Sequence, residues 1–231
     1  MKRLSVLFLL LLLGSSTTRA QDLPTIESKT SSMEKMEGFY SLYWDDAAGK
    51  VWLEIDRFGE DFMYQVALVA GLGSNDIGLD RNQLGPGWVV RFERRGPKVL
   101  MVAPNLDYRA MTDNESERAS VAEAFASGVL HGFDIGAVTD GRVLVDATSF
   151  IVRDAHGVAG RLRRSNQGSF SVEASRSVPW KENTRSFPRN TEMEALITFA
   201  SDNPGSLVGS VAAAPQAVAL RQRNSFIELP D

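Results

Sequence analysis

Asp76 and Asp80 flank Gly78 in a stretch crowded with glycine, and Asn75 and Asn82 stand beside them. Such oxygen-bearing side chains are candidate ligands for calcium, a hard cation that prefers oxygen. The spacing is not that of an EF-hand. The competing reading is a loop braced by Asx turns and by an Asp80–Arg81 or Asp76–Arg81 contact. Glu192 and Glu194 fall on one face of a strand pattern. Paired carboxylates can work as acid and base at a glycosidic bond, whereas a wet strand face carries the same charges with no chemistry. The only histidines are His131 and His156. Neither opens an H-E-x-x-H helix, so the zinc pair with its glutamate base is missing. His131 reads as a residue at a helix end, capping carbonyls, and His156 as part of a turn. Arg161, Arg163 and Arg164 form a basic cluster, either a solvated turn or an anion or partner site.

Other chemistries are excluded by residue type. The chain has no cysteine, which removes thiolate nucleophiles, disulfides and Cys-ligated zinc. Gly71-Leu72-Gly73 lacks the third glycine of a dinucleotide fingerprint, since position 76 is Asp. No Gly-Lys-Ser/Thr phosphate loop occurs, and Ser74 is followed by Asn75, not by the pattern of a hydrolase elbow. From the residues alone no reaction follows. What stands out is the loop itself, where Gly71, Gly73, Gly78, Gly85 and Gly87 alternate with Asn75, Asp76, Asp80, Arg81 and Gln83. Glycines at this density permit unusual backbone angles and close approach. A connection this long is usually functional or disordered. Gly71, Gly73, Asn75, Asp76, Asp80, Arg81 and Gln83 are therefore expected to form a rigid contact loop.

The elements that must hold this loop are mainly strands. Tyr40, Leu42 and Trp44 alternate with Ser41, Tyr43 and Asp45, and Val51, Leu53 and Ile55 alternate with Trp52, Glu54 and Asp56. This period of two marks half-buried strands. Phe62–Val69 is more continuously apolar. Trp88–Glu93 and Lys98–Ala103 complete a five-stranded meander. Val121, Phe125 and Val129 recur at i, i+4 and i+8, which predicts one amphipathic helix near 115–130 with Phe125 in the core. Thr112–Glu115 or Asn114–Glu117 supplies its capping box, and Gly128 and Gly132 its end. Strands follow at Phe133–Thr139 and Arg142–Val152, joined by the hairpin signal Asp140-Gly141. Phe170–Val172, Glu192–Phe199 and Ala217–Leu229 are further strands, and 175–190 reads as irregular. The expected fold is mainly β, an antiparallel meander forming a sandwich or a partly open barrel.

Lys2 and Arg3, an apolar run to Gly14 and a small-residue ending at Ala20 have the order of a cleavable signal peptide over 1–20. Cleavage would leave Gln21 first, then a flexible lead-in over 21–37 and a single β-rich domain over 38–231. The expected location is periplasmic or secreted, with no membrane association after cleavage. Loss of Lys2, Arg3 and Arg19 takes the formal charge from −4 to about −7. Such a balance argues against nucleic acid, which needs clustered positive charge.

GFYSLYWDDAAGKVWLEI, FMYQVALVAGLGSNDIGLDRNQLG, FASGVLHGFDI with VLVDATSFIVRDAHGV, FPRNTEMEALITF and the terminal RQRNSFIELPD occur in that order. Together they resemble the N-terminal region, a domain of unknown function, of large bacterial exported zinc-dependent metalloproteases. The resemblance covers roughly 38–231, and the Gly-rich loop and Asn190-Thr191-Glu192 are its most specific parts. In that family a later zincin domain carries the H-E-x-x-H helix. The resemblance therefore implies a non-catalytic accessory domain, in truncated or split form, that packs on the peptidase domain and helps shape its cleft. No cofactor is expected in this chain, and zinc only in the catalytic domain. The implied partners are the zincin peptidase domain, in cis or as a separate chain, and a peptide substrate. The alternative is a free-standing extracytoplasmic module that binds a peptide or protein.

Overall fold

Phe62, Tyr64, Val66 and Leu68 are all buried, while Met63, Gln65 and Ala67 between them are only partly covered. That alternation is repeated around a curled sheet in a computed structural model, which describes residues 23–230. Residues 1–20, expected to be a signal peptide, lie outside the described residues. The chain runs α1 (Ile26–Thr30), β1 (Glu34–Met36), β2 (Leu42–Asp45), β3 (Lys50–Ile55), β4 (Phe62–Ala70), β5 (Gln83–Arg95), β6 (Lys98–Ala103), α2 (Glu115–Ala124), β7 (Gly128–Thr139), β8 (Arg142–Asp146), α3 (Thr148–Ile151), α4 (Val158–Arg164), β9 (Ser171–Val172), β10 (Val178–Phe187), β11 (Asn190–Ala200), α5 (Ser206–Val211) and β12 (Ala217–Glu228).

The strands form one antiparallel sheet in the order β1-β2-β3-β8-β7-β6-β5-β4-β12-β11-β10, with β9 beside β11. The sheet does not close, because no ladder joins β1 to β10. Its two ends nevertheless share one core: Leu42 and Leu53 from one end and Ala195, Ile197 and Phe199 from the other belong to the same cluster. Tyr40, Phe62, Phe92 and Phe226 pack edge-on or tilted at 5.1–5.9 Å in its middle. Burying each such ring contributes roughly 1.5–3 kcal/mol relative to exposure. The open seam is bridged by the segment before β2. Phe39 N–H donates to Phe187 O at 2.7 Å, and Tyr40 N–H donates to Thr191 Oγ1 at 3.0 Å. The Thr191 and Ser186 hydroxyls both donate to Tyr40 O. Thr191 of the Asn190-Thr191-Glu192 motif is thus a clasp on the seam.

Several sequence expectations need correction. Within the lead-in expected over 21–37, the described residues from Leu23 onward carry α1 and β1. Ile26 in α1 is buried with Tyr43, Trp52, Ala137 and Leu144 on the outer face of the sheet, and β1 pairs with β2. A five-residue helix is too short to show a period. The strand expected over 142–152 stops at Asp146, whose carboxylate accepts the Thr148 N–H at 2.9 Å and starts α3. Asp154 accepts the N–H groups of Gly157, Val158 and Ala159 at 2.7–2.9 Å and starts α4. Phe150, Ile151, Val158 and Leu162 from these two helices plug the core. The stretch 175–190 read as irregular carries β10, which is bulged between Trp180 and Arg185.

The helix near 115–130 is shorter than its stripe predicted. α2 ends at Ala124 and buries no residue; Gly128 and Gly132 belong to β7. Phe125 is 37% exposed and stacks on Tyr108, with ring centroids 3.9 Å apart. The stripe is one residue wide and is surrounded by Glu115, Glu117, Arg118 and Glu123, too narrow a face to hold a helix on the sheet. Of the two caps expected, Asn114 is the one that forms, its side chain accepting the Ser116 N–H at 3.0 Å and donating to Glu117 Oε1 at 3.3 Å. Asp140-Gly141 turns with both residues at positive φ, as a two-residue hairpin of this hand requires.

Candidate functional site

Antiparallel register carries four connections to one end of the curled sheet. These are the β4–β5 loop, the 104–127 excursion between β6 and β7, the α3–α4 plug and the α5 connection. The β4–β5 loop is the Gly-rich motif. Leu72, Ile77 and Leu79 drop their side chains into the core. Leu72 N–H donates to Leu79 O at 2.9 Å, and Ile77 and Gly78 N–H both donate to Ser74 O at 3.2 Å. A Cβ on Gly71 would strike the backbone of Leu79 and Arg81, so the crossing of the loop's two arms demands glycine there. From α4, Arg161 Nε–H donates to Ile77 O at 2.6 Å. The loop is therefore braced by backbone bonds, apolar anchors and Arg161. The expected bracing by Asx turns and Asp–Arg contacts is corrected: among the described residues, Asn75, Asp76, Asp80 and Arg81 make no side-chain hydrogen bond or ion pair. These four side chains and Gly73 are exposed, while Gly71 and Gln83 are half-buried. Asp76 and Asp80 are not gathered with a third metal-ligating side chain among the described residues.

The other candidates fall apart as a single site. His131 lies within β7, not at a helix end. Its ring sits edge-on to Phe133 at 4.6 Å and Phe150 at 5.2 Å. Burial, and then the nearby Arg153 charge, lower its pKa to about 4, so it is a neutral imidazole near pH 7. It lines a cleft of about 490 Å³ with Lys50, Asp146, Thr148, Ser149 and Ser177. Lys50 Nζ is 2.7 Å from Asp146 Oδ2 there. His156 follows the Asp154 cap; its N–H donates to Gln222 Oε1 at 2.9 Å, and its buried Nε2 has no partner. Glu192 and Glu194 do not lie on a wet face. Glu194 is fully buried, accepts Arg223 Nε–H and Nη2–H at 2.9 and 2.6 Å, and accepts Asn183 Nδ2–H at 2.9 Å. Glu192 accepts from Asn190 and Ser225. Both carboxylates are committed to a hydrogen-bonded ion-pair network on the outer face of β11 and β12. The bulge of β10 covers it through Asn183 and Thr184.

The residues that sequence reasoning missed are apolar and exposed. Leu84 (71% exposed), Tyr108 (54%), Met111 (97%) and Val129 (59%) stand at the loop end with Leu106 and Phe125. Clefts of about 350 and 520 Å³ run beneath the excursion and share Pro104 and Asn105. The first of them is edged by Arg91, Arg109 and Arg118. The signal was present in the stretch Pro104–Met111, where large apolar residues sit among polar ones without helix or strand period.

Residues 82–231, about two thirds of the chain, match the model of a domain of unknown function, DUF5117. The chain belongs to this family. No curated protein and no solved structure matches it. The DUF5117 match begins at Asn82, so it takes in the strands from β5 onward, the plug helices and the excursion. The arm of the Gly-rich loop from Gly71 to Arg81 precedes the matched span, although it packs on α4 inside it.

Proposed function

We propose that this chain is a non-catalytic accessory domain of an exported zinc-dependent metalloprotease, with its loop end packed on the zincin peptidase domain. The carrying observation is the distribution of exposed apolar side chains. Of the eleven large exposed hydrophobics among the described residues, seven fall at this end: Leu84, Leu106, Tyr108, Met111, Phe125 and Val129 on β5, the excursion and the start of β7, and Val211 on α5. Apolar patches that a domain leaves open are characteristic of interaction sites. Beside them the Gly-rich loop offers Asn75, Asp76, Asp80 and Arg81 on a backbone that is already fixed, so ordering it on contact costs little. The resemblance supplies the partner, and the signal-peptide order of residues 1–20 the periplasmic or secreted location.

The test mixes the purified chain with the separately produced peptidase domain of a relative whose reading frame encodes H-E-x-x-H. A complex is expected, and Leu106→Asp with Met111→Asp should weaken it at least about tenfold, since a buried charge disrupts an apolar contact by more than about 1.4 kcal/mol. No complex in trans, together with unchanged proteolysis when the pair is placed in the full-length relative, would sink the reading. A second reading, a free-standing peptide-binding module, draws on the cleft beside His131. Its apolar floor of Phe133 and Val152 and its rim of Lys50, Asp146 and Ser149 suit a peptide side chain. Saturable binding of random peptides, abolished by Ser149→Trp and indifferent to the Met111 patch, would favour it.

A further inference from the structure

The basic run on α4 is not absorbed by that reading. Arg161, Arg163 and Arg164 make no ion pair among the described residues. Two of them, Arg161 and Arg164, line a cavity of about 150 Å³ between α4 and the Gly-rich loop. Gly78, Leu79, Gln83, His156 and Gly157 complete its wall, and no carboxylate lines it. Asp154 is close by, but its two oxygens accept the first-turn N–H groups of α4. Arg161 and Arg164 are exposed and form no ion pair among the described residues, so the cavity carries two positive charges with no counter-charge on its wall. The cavity exceeds a water's share of liquid volume, roughly 30 Å³, by enough to hold a carboxylate or phosphate group.

The backbone is arranged to keep this wall in place. A Cβ on Gly85 would lie 2.5 Å from His156 Cδ2 and 3.0 Å from Nε2, so only glycine lets the imidazole lie flat on β5. A Cβ on Gly78 would strike Arg161 Nη2. Arg161 spends Nε–H on Ile77 O, which fixes the guanidinium plane and leaves its two terminal nitrogens free. The wall then offers two guanidinium groups as charge-assisted donors, with the His156 imidazole beside them.

We propose that this cavity is an oxyanion site, taking a carboxylate or phosphate group between Arg161, Arg164 and His156. It stands on the cavity alone and does not require a peptidase partner. An acidic side chain of a docking protein and a free inorganic anion present the same chemistry, and the test separates them.

Titrate the purified chain with inorganic phosphate, with acetate and with N-acetylglutamate N-methylamide, following the His156 ring nitrogens by NMR. Saturable shifts confined to His156 and the Gly78–Gln83 amides are expected. Tighter binding of phosphate identifies a free anion as the occupant; tighter binding of the two carboxylates identifies a protein side chain. Arg164→Gln should weaken binding by about ten- to a hundredfold, as loss of a charge-assisted hydrogen bond does. Arg163→Gln, which removes the same charge outside the cavity, should leave it unchanged. No shift of His156 with any probe overturns the proposal. An equal loss from Arg163→Gln and Arg164→Gln also overturns it, because general charge attraction then accounts for the binding. The wild-type titration supports or overturns the site even where a variant fails to fold.

Discussion

Two long connections leave the same end of the sheet and are built in opposite ways. The Gly-rich loop 71–82 buries Leu72, Ser74, Ile77 and Leu79 and is tied to α4 by Arg161. The excursion 104–127 has a capped helix at its centre, yet α2 buries nothing and its main apolar contact is Tyr108 on Phe125. Glycine content and helical pattern suggest the reverse, a loose loop and a firm helix. Local propensity is a weak guide here: what fixes a segment is apolar side chains with a core within reach. The loop supplies three such side chains, Leu72, Ile77 and Leu79. The helix supplies a stripe too narrow to bury.

The sharpest way to break this comparison is Ile77→Ala. The side chain is fully buried in the main core. Truncation should cost about 2–5 kcal/mol in denaturant melts, the usual range for emptying an aliphatic core site. A cost under about 1 kcal/mol would mean that the loop is draped over the core without entering it.

His131 marks the border between the two regimes. Along β7, Val129 is 59% exposed, His131 half-buried and Phe133 2% exposed. Burial and Arg153 hold the folded pKa near 4, below the ordinary 6.5. The unfolded chain therefore binds more protons between those values. The stabilising effect of the neutral imidazole is complete above pH 6.5 and is lost as pH falls toward 4. His156, whose pKa is also lowered by burial, acts in the same direction. Relative to wild type, His131→Gln should flatten the acid limb by about 1–3 kcal/mol between about pH 7 and about pH 4. Parallel wild-type and variant curves over that window would place His131 in solvent, on the excursion's side of the border.

Much of the sheet was legible because its strands alternate cleanly. Leu53 and Ile55 face in, and Asp140-Gly141 could only turn. The failures share a cause, in that the deciding interaction is distant in sequence. The β10 bulge depends on Glu194 accepting Asn183. α4 depends on Asp154, whose role as a cap is invisible without the core that Val158 and Leu162 enter. Of the candidate site, the exposed acids and Arg81 of the loop were readable as surface. Arg161 as its brace was not, since 84 positions separate it from Ile77.

On the excursion, Phe125→Ala should cost no more than about 0.5–1 kcal/mol, because it forfeits one exposed ring pair and no core. Tyr108→Ala should cost as much, and the double variant little more than either, since each change removes the same stack. The core packing that the stripe alone predicts would instead require about 3–5 kcal/mol. Thermal melts of the three variants decide between a perch and a packed helix.

The smallest expected effect on stability tests the largest functional claim. Asp80 and Arg81 are exposed and make no ion pair or side-chain hydrogen bond among the described residues. Asp80→Ala and Arg81→Ala should each change stability by no more than about 0.5 kcal/mol, as surface changes away from special features do. The backbone around them is held independently, by Leu72 N–H on Leu79 O and by Arg161 on Ile77 O. In a full-length relative the same two changes should nevertheless weaken docking or proteolysis if, as proposed, the firm loop presents these side chains to the peptidase domain. Melting temperature of the isolated chain is therefore compared with activity of the complete enzyme. Intact melting with lost activity makes the loop a contact surface. Loss of both in proportion makes it a strut, and the contact role then falls to the apolar residues of the excursion alone.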